Sequence, residues 1–352
     1  MSSLVWLASR RDLGWRRRRL VMAVGATTLV LAITLLLSGF RDGFDVETSR
    51  TVGALGGTGF VVREGMSGPF TTVAQLDEAL ASEVSRQPGV TGAAPIVSIR
   101  HAIESSPTTD VYIVGARPGG LGAPEVRRGR QPQSPGEAVV DTRADRSIGD
   151  RFRLGGREFT VVGLVRGTSV WAGVPVMFVT LGDAQELVFA GARSATTIVI
   201  RGTPLGLPPG LDSLTVTEAE DDMKRPLANA IVTIDLLRLF LWVVAAAIVG
   251  SVLYVSALER SRDFAVFKAV GTGTGDLVGS LVIEAVTLAA LSAALAVGVS
   301  RVLAGLFPAV ISFPARTLVL LPLVAVAVGL LGSFAGARRA VTVDPSLAFA
   351  GP

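Results

Sequence analysis

The chain has 352 residues, 49% of them hydrophobic, and a mean hydropathy of +0.54, which excludes an ordinary soluble protein and indicates several membrane spans. The absence of cysteine excludes disulfide bonds and thiol chemistry, and the single histidine, His101, excludes a metal site built from several histidines. The net charge is −4 over residues 41–235 (19 Lys and Arg, 23 Asp and Glu) and +8 over the rest (14 and 6), a distribution that excludes a basic groove for nucleic acid.

The first predicted element is a membrane span over residues 20–40. These 21 residues carry no charge, and at about 1.5 Å per residue they cross a hydrocarbon core of about 30 Å. Residues 1–19 are predicted to form an interfacial helix on the cytoplasmic side, ending in the run RRRR. A cleaved signal peptide is the alternative, but the apolar run exceeds an h-region of about 7–15 residues and lacks a small-x-small cleavage site.

Residues 41–235 are predicted to form an extracytoplasmic α+β domain, because about 190 residues can bury a core of their own. GTGFVVRE predicts a strand, and residues 71–90 predict a helix, since Leu76, Leu80 and Val84 recur at four-residue spacing. The strands TGAAPIVSIRHAI and TDVYIVGAR would complete a β-α-β unit.

The second half of this domain is predicted to begin with a β-hairpin. Apolar residues alternate on both sides of Gly155 and Gly156, a pair typical of a tight turn between two strands. VPVMFVTLGDAQELV and ATTIVIRG continue the α+β pattern.

Three more spans complete the predicted fold, an α-helical membrane protein with four transmembrane helices and a large α+β extracytoplasmic domain between helices 1 and 2. Cations at the span ends fall on one side, which places both termini in the cytoplasm of a multi-pass cell-membrane protein. These cations are Arg16 to Arg19, Arg260, Arg262, Lys268, Arg338 and Arg339. The predicted segments after the domain are span 2 (236–258), a cytoplasmic segment (259–276), span 3 (277–306), an external loop (307–317), span 4 (318–336) and a cytoplasmic tail (337–352).

The motifs that could carry chemistry predict no catalysis in this chain. No G-x-x-x-x-G-K-[ST] loop is present, and GTGTGD after Val270 is interpreted as a turn between helices, because it follows no strand. His101 is interpreted as a structural strand residue. Glu284 lies inside span 3, where a carboxylate at mid-depth costs about 3 kcal/mol. We expect an inter-helix hydrogen bond or snorkelling there, and a proton relay is the alternative.

The cytoplasmic segment between spans 2 and 3 is apolar where water would surround it. In FAVFKAV, six of seven residues are apolar, and the charges of ERSRD precede them. Such a segment requires a docking surface on a partner protein, for which the charges set the register. A solvated charge run at a helix exit is the alternative reading of ERSRD.

This segment resembles the FtsX/MacB-type permease family of ABC transporters, the group that includes LolC, LolE and DevC proteins. In that family the second span runs into E-R-x-x-E-(I/F)-x-(I/V)-(L/F)-(R/K)-A-(L/V)-G-(A/T), followed by Asp and a span with Glu-Ala. The matching residues are Glu259, Arg260, Asp263, Phe264, Val266, Phe267, Lys268, Ala269, Val270, Gly271, Thr272, Asp276, Glu284 and Ala285. The tail matches the family's ending at Arg338, Arg339, Asp344 and Pro345, and GEAVVD…IGDRFRLGGREFTVVGLV is similar to its extracytoplasmic core domain. Asp263 replaces the commoner Glu, and GTGTGD replaces a Ser/Arg-rich turn.

The resemblance implies a permease that binds no cofactor itself and docks on a separate ABC ATPase subunit, which holds ATP and Mg. Phe264 and Phe267 would be docking anchors, Glu259, Arg260, Asp263 and Lys268 the charged register, and Gly271 the exit turn. The permease would form a homodimer or heterodimer, surrounded by membrane lipids, with an extracytoplasmic adaptor or enzyme as a further partner and no nucleic acid.

Three functions stay open at the level of sequence. The first is export or extraction of an amphiphilic, peptide or lipid-linked substrate, which the large outside domain favours. The second is transmembrane signalling to an extracytoplasmic enzyme without cargo, as in division-type family members. The third is a membrane-anchored binding protein without an ATPase, against which the apolar cytoplasmic segment argues.

Overall fold

The computed structural model describes residues 17–104, 108–259, 266, 273–307 and 310–341. The chain divides into two compact units, one formed by Met1–Asp42 with Ile231–Pro352 and the other by Gly43–Ala230. The second unit falls within the predicted outside domain, so the change from apolar to polar sequence coincides with the change of unit.

The described helices are α1 (Arg17–Ala54), α2 (Leu80–Ser85), α3 (Leu181–Phe189), α4 (Val216–Lys224), α5 (Ala228–Glu259), α6 (Thr274–Ala304) and α7 (Ala315–Val341). The described strands are β1 (Gly59–Arg63), β2 (Leu76–Asp77), β3 (Val90–Glu104), β4 (Thr109–Ala116), β5 (Arg128–Gly129), β6 (Glu137–Asp141), β7 (Arg151–Leu154), β8 (Arg157–Val165), β9 (Ser169–Val170), β10 (Val174–Thr180), β11 (Ser194–Ala195), β12 (Thr197–Gly202) and β13 (Leu211–Thr215).

Three helical stretches of the described chain are long and apolar enough to cross a membrane, namely Val21–Ala54, Val216–Glu259 and Val278–Ala304. The predicted spans 1, 2 and 3 lie in them. The predicted span 4 lies in α7, where the apolar stretch of described residues, Ala315–Ala327, is shorter. By length and composition, the structure thus supports three of the four predicted spans.

Small side chains pack the helices of the first unit together. On α6, four alanines are buried: Ala285, Ala289, Ala293 and Ala296. The last three lie in one apolar cluster with Leu31 of α1. Residues without long side chains let helix backbones approach closely, which favours packing where lipid supplies no hydrophobic drive.

A six-stranded barrel forms half of the second unit. Its strands pair in the closed order β3–β4–β10–β6–β8–β7–β3, because β7 pairs with both β8 and β3. Inward-facing residues such as Ile113, Val140, Phe159 and Met177 form its core. Closure removes free strand edges within the ring. The β7–β8 hairpin turns at Gly155 and Gly156, both at positive φ, as the sequence predicts.

The other half is the extension β13–β1–β12–β3, in which β3 belongs to both halves. Residues 90–96 of β3 pair with β12, and residues 97–103 pair with β4. On β1, Phe60 and Val61 point to opposite faces, Phe60 into a core with Val52 and Leu55, and Val61 against α2.

The predicted helix over residues 71–90 is wrong for its first half. The structure has a helix only over Leu80–Ser85, and Leu76 lies in β2, paired with Ala195 of β11. Asp77 accepts a hydrogen bond from the Ala79 N–H at 2.8 Å, a turn that starts the helix late. Leu76 is buried by this pairing instead of by a helix face.

Candidate functional site

The predicted docking segment is described only at Glu259, the last residue of α5, at Val266, which is helical, and at residues 273–276, where α6 begins. Its other predicted contact residues lie outside the described residues: Arg260, Asp263, Phe264, Phe267, Lys268 and Gly271. Their contact with an ATPase stays a prediction.

Glu284 joins the two helices that flank this segment. The Ser256 hydroxyl of α5 donates a hydrogen bond to the Glu284 carboxylate of α6, at 3.0 Å to Oε1 and 3.4 Å to Oε2. Ser256 is buried and Glu284 half-buried. Hydrogen bonds between membrane helices contribute about 0.6–2 kcal/mol, so this one holds α5 and α6 together at this level. The cost of burying a carboxylate indicates that Glu284 has a partner, but sequence reasoning did not identify Ser256.

The loop between α6 and α7 packs on α1 at Gly39. The Ser312 N–H donates to the Gly39 carbonyl at 2.9 Å. A Cβ at Gly39 would lie 2.7 Å from Phe313 Cε1 and 2.8 Å from Ile311 Cγ2, so only glycine permits this approach.

Asp42 continues this contact one turn further along α1. It accepts hydrogen bonds from Thr317 Oγ1 at 2.8 Å and Arg316 Nη2 at 3.4 Å, and it is buried. Asp235 of α5 pairs with Arg41 at 3.4 Å and Arg238 at 2.9 Å. These latter pairs are largely exposed and contribute at most about 1 kcal/mol each.

In the second unit, the first and the last helical segments bind each other directly. Residues 43–54 of α1 begin this unit, and α4 lies close to its end. Lys224 Nζ lies 3.0 Å from Asp45 Oδ1 and 3.1 Å from Asp221 Oδ1. The segments at which the chain enters and leaves this unit are therefore joined by an ion pair.

Residues 168–173, which we call the 168–173 turn, bind the first of these segments through Glu47. Ser169 Oγ donates to Glu47 Oε1 at 2.5 Å, and the Ala172 N–H donates to Glu47 Oε2 at 3.0 Å. Arg143 Nη1 donates to Ser169 Oγ at 2.7 Å and lies 3.6 Å from Glu47 Oε1. The Glu47 side chain is only 1% exposed, so its charge depends on these partners.

The same turn binds the last segment through Trp171. The indole Nε1 donates to the Met223 carbonyl of α4 at 2.7 Å, and the ring meets Tyr112 edge-on with centroids 5.2 Å apart. Thr51, one helical turn beyond Glu47, donates to the Ser169 carbonyl at 2.7 Å. One short turn thus contacts both helical segments.

Sequence reasoning did not identify this cluster. Two signals were present in the sequence. Trp171 is the one tryptophan of residues 41–235 and lies two residues before Gly173, and Glu47 and Thr51 are polar residues at four-residue spacing. Among the residues that the structure describes, no group of three or more His, Asp or Glu could hold a metal ion. The cluster consists of hydrogen bonds between two helical segments and a turn.

Comparison with protein-family models defines the class. Residues 20–222 match the MacB-like periplasmic core domain, and residues 236–345 match the FtsX-like permease C-terminal domain. The chain belongs to the ABC transporter permeases of this MacB/FtsX type, which confirms the family that the cytoplasmic segment between spans 2 and 3 resembles.

Individual relatives match along almost the whole chain. Two ABC transporter permeases of Mycobacterium tuberculosis are 42% identical over 349 residues and 40% identical over 346 residues, each covering 98% of this chain and 99% of the relative. Among solved structures, the extracellular domain of the transporter YknZ from Gram-positive bacteria is 12% identical, with a TM-score of 0.34, and covers 44% of this chain and 98% of its own. The periplasmic region of MacB from Actinobacillus actinomycetemcomitans is also 12% identical, with a TM-score of 0.33, and covers 49% and 92%.

Proposed function

We propose that this chain is the membrane subunit of an ABC exporter, which passes the motion of a separate ATPase to its extracytoplasmic domain and so moves or extracts an amphiphilic, peptide or lipid-linked substrate. It crosses the membrane four times, with α7 as the fourth span, and both termini are cytoplasmic. Two permease copies, identical or related, pair with two ATPase subunits. Hydrolysis takes place in the ATPase, because the chain contains no phosphate-binding loop.

One observation carries this proposal: the first and the last helical segments of the outside domain are bonded to each other, with Lys224 3.0 Å from Asp45. A displacement of either segment therefore acts on the domain through defined side chains. This is what a domain driven by helix movement requires, since packed elements respond by discrete rearrangement rather than continuous deformation.

Docking can be tested with two double variants of the full-length permease, co-expressed with its ATPase and reconstituted in liposomes. Phe264→Asp with Phe267→Asp should abolish stimulation of ATP hydrolysis, because two charges replace apolar anchors. The control, Phe264→Leu with Phe267→Leu, should retain it, and both should insert equally. Unchanged stimulation with the charged variant would refute the docking role.

Cargo movement separates export from signalling. With candidate lipids or peptides in the liposomes, an exporter couples hydrolysis to their transfer. If hydrolysis proceeds without transfer and an extracytoplasmic enzyme is activated instead, the chain is a signalling permease. If no ATPase co-purifies, it is a membrane-anchored binding protein.

A further inference from the structure

The 168–173 turn contains three successive residues in the left-handed backbone region. Their φ values are 50° at Trp171, 68° at Ala172 and 107° at Gly173. A non-glycine residue in this region is strained, and such strain persists only where the surroundings hold it. Among the described residues, two other non-glycine residues have positive φ, Asp145 and Ala190. Ala190 precedes Gly191 at φ 85°, but neither is adjacent to a second such non-glycine residue, as Trp171 is to Ala172.

The strain is held from two sides. Glu47 receives the hydrogen bonds of Ser169 and Ala172 on one side, and the Met223 carbonyl receives that of the Trp171 indole on the other. The Arg100 guanidinium lies 5.7 Å from the centre of the Trp171 ring. If residues 43–54 and α4 separate, the turn loses one set of these partners, which favours relaxation of Trp171 and Ala172.

The turn continues directly into a central strand. β10 starts at Val174, pairs with β4 and β6 in the barrel, and ends at the N-cap of α3, Thr180. β9, which forms the first half of the 168–173 turn, pairs with β10 at Val174 and Pro175. A change of backbone conformation at residues 171–173 therefore shifts the start of β10 in register or direction.

We propose that the 168–173 turn is a two-position latch, closed when residues 43–54 and α4 both bind it and open when they part, and that Glu47 and Trp171 are its positioning residues. The inference rests on the proposed function, since it assumes that ATP-driven motion reaches these two helical segments. The structure shows the closed position. Opening transmits the motion to β10 and thus to the barrel.

Two substitutions should move the latch in opposite directions. Ala172→Gly removes about 1 kcal/mol of left-handed strain from the closed position and should lower the open fraction about fivefold. Glu47→Gln keeps the shape but replaces one acceptor oxygen with a donor, and should raise the open fraction. Ala190→Gly is the matched control, because Ala190 is left-handed (φ 48°) at the end of α3, away from the turn.

The test uses Trp171 as the reporter in the full permease–ATPase complex in nanodiscs, with Trp6, Trp15 and Trp242 replaced by phenylalanine. Emission is recorded without nucleotide and with ATP and vanadate. We expect a red shift with ATP and vanadate, smaller in Ala172→Gly, larger in Glu47→Gln, and unchanged in Ala190→Gly.

Two results would overturn the latch while the proposed function stands: Trp171 emission that is identical in both states although the permease stimulates the ATPase, or equal effects of Ala172→Gly and Ala190→Gly. If the complex shows no ATPase stimulation at all, the proposed function fails and the latch fails with it.

Discussion

Asp222 gives the sharpest test of how the outside domain is held together. This carboxylate is fully buried, and its Oδ2 accepts hydrogen bonds from the N–H groups of Phe70 at 2.8 Å and Thr71 at 3.1 Å. Its Oδ1 accepts the Thr71 hydroxyl. Asp222→Ala removes all three acceptor contacts, so the donors of Phe70 and Thr71 lose their partner within the protein.

The expected loss of stability depends on which of these donors can form a hydrogen bond with water instead. The Phe70 N–H is buried and costs about 1–3 kcal/mol when unpaired, whereas the exposed Thr71 groups regain water. With the lost charge-assisted bonds, we expect about 3 kcal/mol of destabilisation. In a domain of this size each kcal/mol of destabilisation lowers Tm by about 2–4 °C, so Asp222→Ala should lower Tm by about 6–12 °C.

Asp221 is the matched control, because it is the adjacent residue, has a side chain 67% exposed and forms an exposed ion pair with Lys224. Asp221→Ala should cost no more than about 0.5 kcal/mol. Thermal unfolding of the detergent-solubilised full chain measures both, and hydrogen exchange at Phe70 should increase in Asp222→Ala alone. A Tm change under about 2 °C, or one equal to that of Asp221→Ala, would refute this role for Asp222.

Three further outcomes are expected. Hydrogen bonding by Arg130 lowers the pKa of Glu137 to about 2, below its ordinary 4.5. The pair therefore stabilises the domain above pH 4.5, and this contribution is lost as pH falls towards 2. Glu137→Gln should flatten that part of the Tm–pH curve, and an unchanged curve would contradict the prediction. Because the chain has no cysteine, a single introduced cysteine can be labelled specifically. Leu205→Cys, at an 84% exposed site, should react with an impermeant maleimide outside intact cells, and Lys268→Cys should react only after lysis. Labelling of Lys268→Cys in intact cells would show that the topology is inverted. Gly39→Ala should lower Tm by a clash with the Phe313 ring in the loop between α6 and α7, which costs about 1–3 kcal/mol. Gly25→Ala, with open space around its Cβ, should leave Tm unchanged.

Local patterns in this sequence predict local structure well. The Gly155-Gly156 pair specifies the β7–β8 hairpin because both residues need positive φ, and uncharged runs specify the helices of the first unit. The helix over residues 71–90 fails because four-residue spacing of Leu76 and Leu80 also suits a strand followed by a turn. Distant pairing with β11 decides between them.

Closure of the barrel and the Glu47 cluster could not be predicted from one sequence. Barrel closure depends on β7 meeting β3 through Leu154 and Ile103, which are far apart in the chain. Glu47 and Ser169 are likewise distant, and nothing in their local sequence pairs them. Glu284 is the intermediate case: the cost of burying a carboxylate predicts a partner, but not which residue it is.

The alanine face of α6 has a consequence for how this helix can move. Methyl groups have no rotamers to exchange, so a neighbouring helix can slide past Ala289, Ala293 and Ala296 without repacking. Across this face, Thr28 and Ser292 each donate to a carbonyl of the opposite helix, both at a long 3.4 Å. α1 can therefore slide along α6 with few side-chain rearrangements, whereas separating the two helices would open a void along their whole contact.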